Sequence, residues 1–171
     1  ELAYARTKDE VPYEFAYLDG ELLDNYLHDM NIVQNFARLN RQAIAADIIR
    51  SMKFTQLTSF STVHNYIDAE NKILRKGAIS AQDGERMMIP LNMRDGCLIC
   101  RGKGNTDWNC SAPHGAGRAF NRTDTVNAFT LSQYKREMQG IYSTSISRDT
   151  LDECPMAYKD SNTIMEQINP T

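Results

Sequence analysis

The 171 residues contain no apolar run long enough to cross a bilayer, so no membrane-spanning helix is expected. The opening Glu1-Leu2-Ala3-Tyr4-Ala5-Arg6 also lacks the charged-then-apolar order of a secretory signal. No repeat, low-complexity tract or Pro-, Gly- or Ser-rich stretch marks a linker, which makes one compact unit the simplest expectation. A basic excess is missing too: nineteen Lys plus Arg stand against twenty-two Asp plus Glu, a formal charge of −3. That argues against a uniformly basic nucleic-acid binder but leaves room for a local basic groove. Neither Gly-x-Gly-x-x-Gly nor Gly-x-x-x-x-Gly-Lys-Ser/Thr occurs, so Rossmann and P-loop nucleotide sites are unsupported. His114-Gly115-Ala116-Gly117 is close to the oxyanion-hole string of lipases, yet without a Gly-x-Ser-x-Gly elbow a serine hydrolase is not supported either.

Cysteine is sparse. Cys97, Cys100, Cys110 and Cys154 come with no secretory signal, so reduced thiols in a cytoplasmic protein are expected. The apolar spacers of Cys97-Leu98-Ile99-Cys100 favour a strand, in which residues three apart point to opposite faces and cannot share one metal ion.

What is present suits an α+β domain: 42% hydrophobic and 24% charged residues are enough for a core. From Asp19-Gly20 a helical pattern runs to about Met52, with Leu22, Tyr26, Met30, Val33, Phe36, Ala37, Ile44 and Ile48 at three- and four-residue steps. Such a stripe, on the order of 45 Å long, is expected to pack on a sheet or another helix. The opposite face, with Asp24, His28, Gln34, Arg38 and Arg41, is expected to be solvated. Runs at 59–63, 71–75, 86–90 and 96–101, separated by Asp83-Gly84 and Asp95-Gly96, predict a small mixed or antiparallel sheet. Short helices opened by Thr123-Asp124 and by Ser132 follow, the second closing at Gly140, then a strand at 141–146 and a last helix from Asp160.

Between His64 and Arg118 the chain is dense in residues that build little core. Glycines let a backbone approach a phosphate, and Lys or Arg supplies the countercharge. A His in such a loop has the chemistry of an acid, a nucleophile or a metal ligand. His114, set between Pro113 and Gly115-Ala116-Gly117, is a poor core element and reads as functional, whereas His64, ending a β-branched run, reads on its own as a structural His.

Several strings fall in one order: Arg75-Lys76-Gly77-Ala78-Ile79-Ser80-Ala81, Ile89-Pro90-Leu91-Asn92-Met93, Gly102-Lys103-Gly104-Asn105, Ser111-Ala112-Pro113-His114-Gly115-Ala116-Gly117-Arg118 and Asp152-Glu153-Cys154-Pro155-Met156-Ala157-Tyr158-Lys159-Asp160. In this order, and over nearly all of its length, the chain resembles the RtcB-type RNA-splicing ligases. The resemblance implies a GTP- and manganese (Mn2+)-dependent ligase. It would join RNA 2′,3′-cyclic-phosphate or 3′-phosphate ends to 5′-hydroxyl ends through a GMP-histidine intermediate, on tRNA halves or broken RNA, with or without an accessory activating protein. It implies His114 as the nucleophile and His64 as a manganese ligand. Asn65, Pro90, Leu91, Asn92, Met93, Cys97, Gly115, Ala116 and Gly117 are implied as nucleotide contacts. Arg118, Arg75 and Lys76 are candidates for phosphate or RNA-backbone contacts. Many relatives have Pro-Gly-Ser-Met where this chain has Pro90-Leu91-Asn92-Met93, so backbone contacts there can be kept but hydroxyl contacts cannot. His28 matches no ligand, and Lys159 is not the family's terminal GTP-binding lysine. The family's remaining metal ligands and its terminal strand fall outside the matching stretch. The 171 residues are therefore expected to be a C-terminal portion of one catalytic domain, inactive alone; the alternative is a non-catalytic relative that binds RNA or a protein.

Overall fold

A computed structural model describes residues 1–169. Its elements are helices α1 (Leu2–Thr7), α2 (Gly20–Ser51), α3 (Arg122–Ala128), α4 (Leu131–Glu137) and α5 (Ser161–Ile168), with strands β1 (His64–Asp68), β2 (Ile73–Ser80), β3 (Arg86–Asn92), β4 (Gly96–Arg101) and β5 (Ser111–Pro113). The fold is α+β. No helix among the described residues is long and apolar enough to cross a membrane.

The described residues fall into two compact units, residues 1–59 with 67–73 and residues 60–66 with 74–169. In the first, α2 starts and ends as expected, but none of its residues is buried. Most of the expected apolar stripe stands in solvent, with Phe36 69% and Val33 57% exposed; of its members only Met30 and Ala37 are half-buried. Leu27 and Gln34 join them, so that the half-buried positions Leu27, Met30, Gln34 and Ala37 stand three and four apart on one face, with Ile49 half-buried further along. Gln34, expected on the solvated face, accepts the Ile67 N–H at 2.9 Å.

The second unit holds two sheets, one in the order β1-β2-β5 and one pairing β3 with β4. β2 and β5 are antiparallel, with Ala78 opposite Pro113 and Ser80 opposite Ser111. β3 and β4 are antiparallel from Arg86 opposite Arg101 to Asn92 opposite Gly96. Strict alternation places Met87, Ile89 and Leu91 inside and Arg86, Met88 and Pro90 outside. Met87 and Ile89 join Ile79, Ala81 and Ala112 in one core, against which Leu98 and Cys100 pack. Cys97 is exposed and all four thiols are free, consistent with the strand reading of this segment. A second core gathers Tyr134, Met138, Leu151, Cys154 and Ala157.

Three expected elements change. Residues 59–63 form no strand, and pairing begins at His64; Thr62 contributes through its hydroxyl, which accepts the Met88 N–H at 3.0 Å. Asn71 and Lys72 belong to the turn before β2, which then runs on to Ser80. Residues 141–146 are also irregular, because Ser143 and Thr150 hydroxyls accept the N–H groups of Ser145 and Ser147 and divert them from a ladder. The short helices begin slightly earlier than expected. Asn121 caps α3 by accepting the Asp124 N–H, and Thr130 with Gln133 forms a capping box on α4. Asp160 caps α5 as expected.

Candidate functional site

The second unit brings together two histidines fifty positions apart in the chain. His64 opens β1, and His114 follows directly on β5; both are exposed. Their rings stack, with centroids 4.9 Å apart and planes inclined by 26°. β2 lies between β1 and β5, and its Gly77 supplies the contact that the sequence reading lacked. The Gly77 carbonyl accepts from His114 Nδ1 at 2.7 Å and from the His114 backbone N–H at 3.3 Å. On the other side of the same residue, the Gly77 N–H donates to Asn65 Oδ1 at 2.6 Å.

The loop after His114 closes against the end of β3. Ala116 N–H donates to the Pro90 carbonyl at 3.1 Å, and a Cβ on Gly115 would lie 3.1 Å from that same oxygen. A side chain at 115 would thus press closely on that carbonyl, a tight approach that glycine avoids. Pro90, Gly115 and Ala116, all expected at the nucleotide, are therefore neighbours. Leu91 is buried, and Met93 Sδ accepts from the Tyr134 hydroxyl at 2.8 Å, which ties this segment to the second core. The Asn92 side chain is turned into the β3–β4 turn, accepting from the Arg94 and Asp95 N–H groups and donating to Asp95 Oδ2. Cys97 lies opposite Pro90 on β4, exposed.

The three basic candidates have different surroundings. Arg75 is 1% exposed and donates to Ser111 Oγ, the Tyr66 hydroxyl and the carbonyls of Asn109 and Cys110, which braces the chain leading into β5. Lys76, next along β2, is exposed. Arg118 donates to the Phe120 carbonyl, Glu153, the Tyr158 hydroxyl, Thr125 and the Asp152 carbonyl, and its guanidinium lies 5.1 Å from the centre of the Tyr158 ring. That fork anchors the far end of the His114 loop. Burial first, then the Glu153 carboxylate, raises the Tyr158 hydroxyl pKa above its ordinary value. Lys159, set aside on sequence grounds, donates its N–H to the Gly117 carbonyl, and its Nζ lies 3.9 Å from where a Gly117 Cβ would stand.

Among the described residues no group of three or more His, Cys, Asp or Glu gathers into a metal site. His64 offers one imidazole, so these residues do not by themselves fit a manganese ion. Chemically the cluster presents an exposed imidazole whose Nδ1 is occupied and whose Nε2 has no hydrogen-bond partner among the described residues, beside a glycine-bearing loop with Lys159 close to Gly117.

A family model described as "tRNA-splicing ligase RtcB" matches residues 7–171. The chain is 32% identical over 167 residues to an RNA-splicing ligase RtcB of Escherichia coli strain K12, covering 87% of this chain and 41% of that protein. It is 31% identical over 179 residues to a tRNA-splicing ligase RtcB of Aeropyrum pernix, covering 83% of this chain and 37% of that one. The chain thus spans about two fifths of the length of these curated relatives.

Proposed function

Because the chain belongs to the RtcB family, we propose that the protein carrying it is a GTP-dependent RNA ligase in which His114 is the nucleophile. The observation that carries this reading is the hydrogen bond from His114 Nδ1 to the Gly77 carbonyl on an exposed ring. A carbonyl accepts only, so in the neutral ring Nδ1 carries the proton and the lone pair sits on Nε2, available to an incoming phosphorus. Nε2 attacks the α-phosphorus of GTP; an N–P bond forms, the bond to the bridging oxygen breaks, and pyrophosphate leaves. As positive charge develops on the ring, the Nδ1–H stays bonded to Gly77. GMP then passes to the RNA 3′-phosphate as the N–P bond breaks. The 5′-hydroxyl of the second strand attacks that activated phosphorus and GMP departs. Imidazole serves both as a nucleophile and as a leaving group near neutral pH, which divides one difficult transfer into easier ones.

The nucleotide would lie along the Pro90–Met93 and Gly115–Gly117 segments, with Cys97 at the edge. Asn92 can contribute its backbone there, its amide being committed to the turn. His64 would supply one donor to manganese, the rest coming from outside the described residues, and the chain alone is proposed to be inactive. RNA, from tRNA halves or breaks, would meet Lys76 and the loop cations in the cytoplasm. The test is incubation of the complete protein with α-phosphate-labelled GTP and manganese. Covalent label on the wild type that disappears in His114→Ala supports the reading; label that persists in the variant refutes it.

A further inference from the structure

We propose that Asn65 is a positioning residue that acts through the Gly77 peptide to hold His114 in its Nδ1–H tautomer. The ring and the backbone of His114 both hang from one oxygen, the Gly77 carbonyl, at 2.7 Å and 3.3 Å. Where that oxygen points depends on the Gly77 backbone, which stands at φ +68°, a conformation glycine adopts without the penalty a Cβ carries. A Cβ there would meet His114 Nδ1 at 3.5 Å and Cε1 at 3.6 Å, ordinary contact distances, so backbone conformation rather than crowding selects glycine. The group that holds Gly77 in place is Asn65 Oδ1, which accepts its N–H at 2.6 Å. Asn65 itself stands at φ +55°, a region in which asparagine is several-fold enriched among non-glycine residues.

Two left-handed residues on neighbouring strands, joined by one short hydrogen bond, therefore set the proton position on a third. The resemblance had implied that Asn65 faces the nucleotide; the structure gives its carbonyl oxygen a partner within the protein. Without that acceptor the Gly77 carbonyl is less constrained, and the ring becomes free to carry its proton on Nε2, the atom that must be bare to react. The tautomer itself is independent of the proposed ligase chemistry; only its catalytic consequence rests on that reading.

The experiment uses the complete protein with 15N-labelled histidine, free of nucleotide and metal at alkaline pH, and reads the protonated nitrogen of His114 from two-bond nitrogen–proton couplings. Wild type should show Nδ1–H alone. Asn65→Gly accepts φ +55° readily and removes the acceptor with the rest of the side chain, so it should fold and show a mixture of tautomers. Its rate of GMP labelling should fall about 10- to 100-fold, by analogy with the loss when partners that orient a metal-ligating histidine are removed. Asn65→Asp keeps an acceptor and a tolerance of positive φ, and should keep Nδ1–H. Gly77→Ala, disfavouring φ +68°, should shift the tautomer by an independent route. An unchanged Nδ1–H in Asn65→Gly, or Nε2–H in the wild type, overturns the relay whatever the labelling shows. Failure of wild type to take label while the tautomer responds would sink the ligase reading and leave the relay standing.

Discussion

Replacing Arg75 by alanine separates an internal brace from an exposed phosphate ligand. The side chain is 1% exposed, with donor distances of 2.9 Å to Ser111 Oγ, 3.0 Å to the Tyr66 hydroxyl, and 3.2 Å and 3.4 Å to the carbonyls of Asn109 and Cys110. Its guanidinium also sits 5.5 Å from the Tyr66 ring centre. Hydrogen bonds to a charged group contribute about 1.5–3 kcal/mol each, but these do not add. The Asn109 carbonyl keeps the Ser111 hydroxyl at 2.8 Å, and the Cys110 carbonyl keeps the Ala81 N–H at 2.8 Å. What the truncation leaves is a Tyr66 hydroxyl without its Arg75 donor and a cavity lined by β2 and β5, together costing about 3–5 kcal/mol. In a domain of this size that corresponds to a Tm lower by about 10 °C. Arg75→Lys keeps the charge and loses the fork, and should cost about 1–3 kcal/mol. Urea unfolding of the complete protein measures both. Trimming an exposed ligand would change stability by no more than about 0.5 kcal/mol, so an Arg75→Ala midpoint matching wild type would refute the brace.

Gly102→Ala should be among the most damaging small substitutions. Its Cβ would fall 2.4 Å from the Ala81 carbonyl carbon and the Gln82 oxygen, both backbone atoms that cannot step aside, so a loss of about 3 kcal/mol or more in urea unfolding is expected. Asp95 gives a pH signature. Hydrogen bonds from Arg94 first, and then Asn92, lower its carboxyl from 3.8 to about 2. A depressed folded pKa stabilises fully above the unfolded value, and that contribution is lost as pH falls from about 4 through about 2. It is worth about 1–2 kcal/mol after discounting for solvent screening around the half-exposed Arg94. Asp95→Asn should flatten that part of the acid-unfolding curve while leaving the rest in place, and an unchanged acid limb would contradict the assignment.

Signals that are local to the chain were legible before the structure. The start of α2 at Gly20, the turns at Asp83-Gly84 and Asp95-Gly96, the alternation of β3 and the cap at Asp160 all depend on a few adjacent residues. Segments 59–63 and 141–146 carry β-favouring residues too, but a strand also needs a partner edge, and no property of those residues announces one. The stripe on α2 shows the same limit, because periodicity predicts a face and not what is available to cover it.

The site divides along the same line. His64 and His114 were each conspicuous, and only the antiparallel pairing of β2 with β5 reveals that Gly77 stands between Asn65 and His114. Glycine misleads because one residue type answers three demands: a positive φ at Gly77, freedom from a Cβ against the Pro90 carbonyl at Gly115, and the same freedom against Ala81 and Gln82 at Gly102. Arg75 was legible after all. In β2 it alternates in step with Ile73, Gly77 and Ile79, so a period of two assigns it to the inward face with them. Treating Arg75 and Lys76 as a pair of like cations hid that difference. The same period turns Lys76 outward, and of the two only Lys76 is exposed.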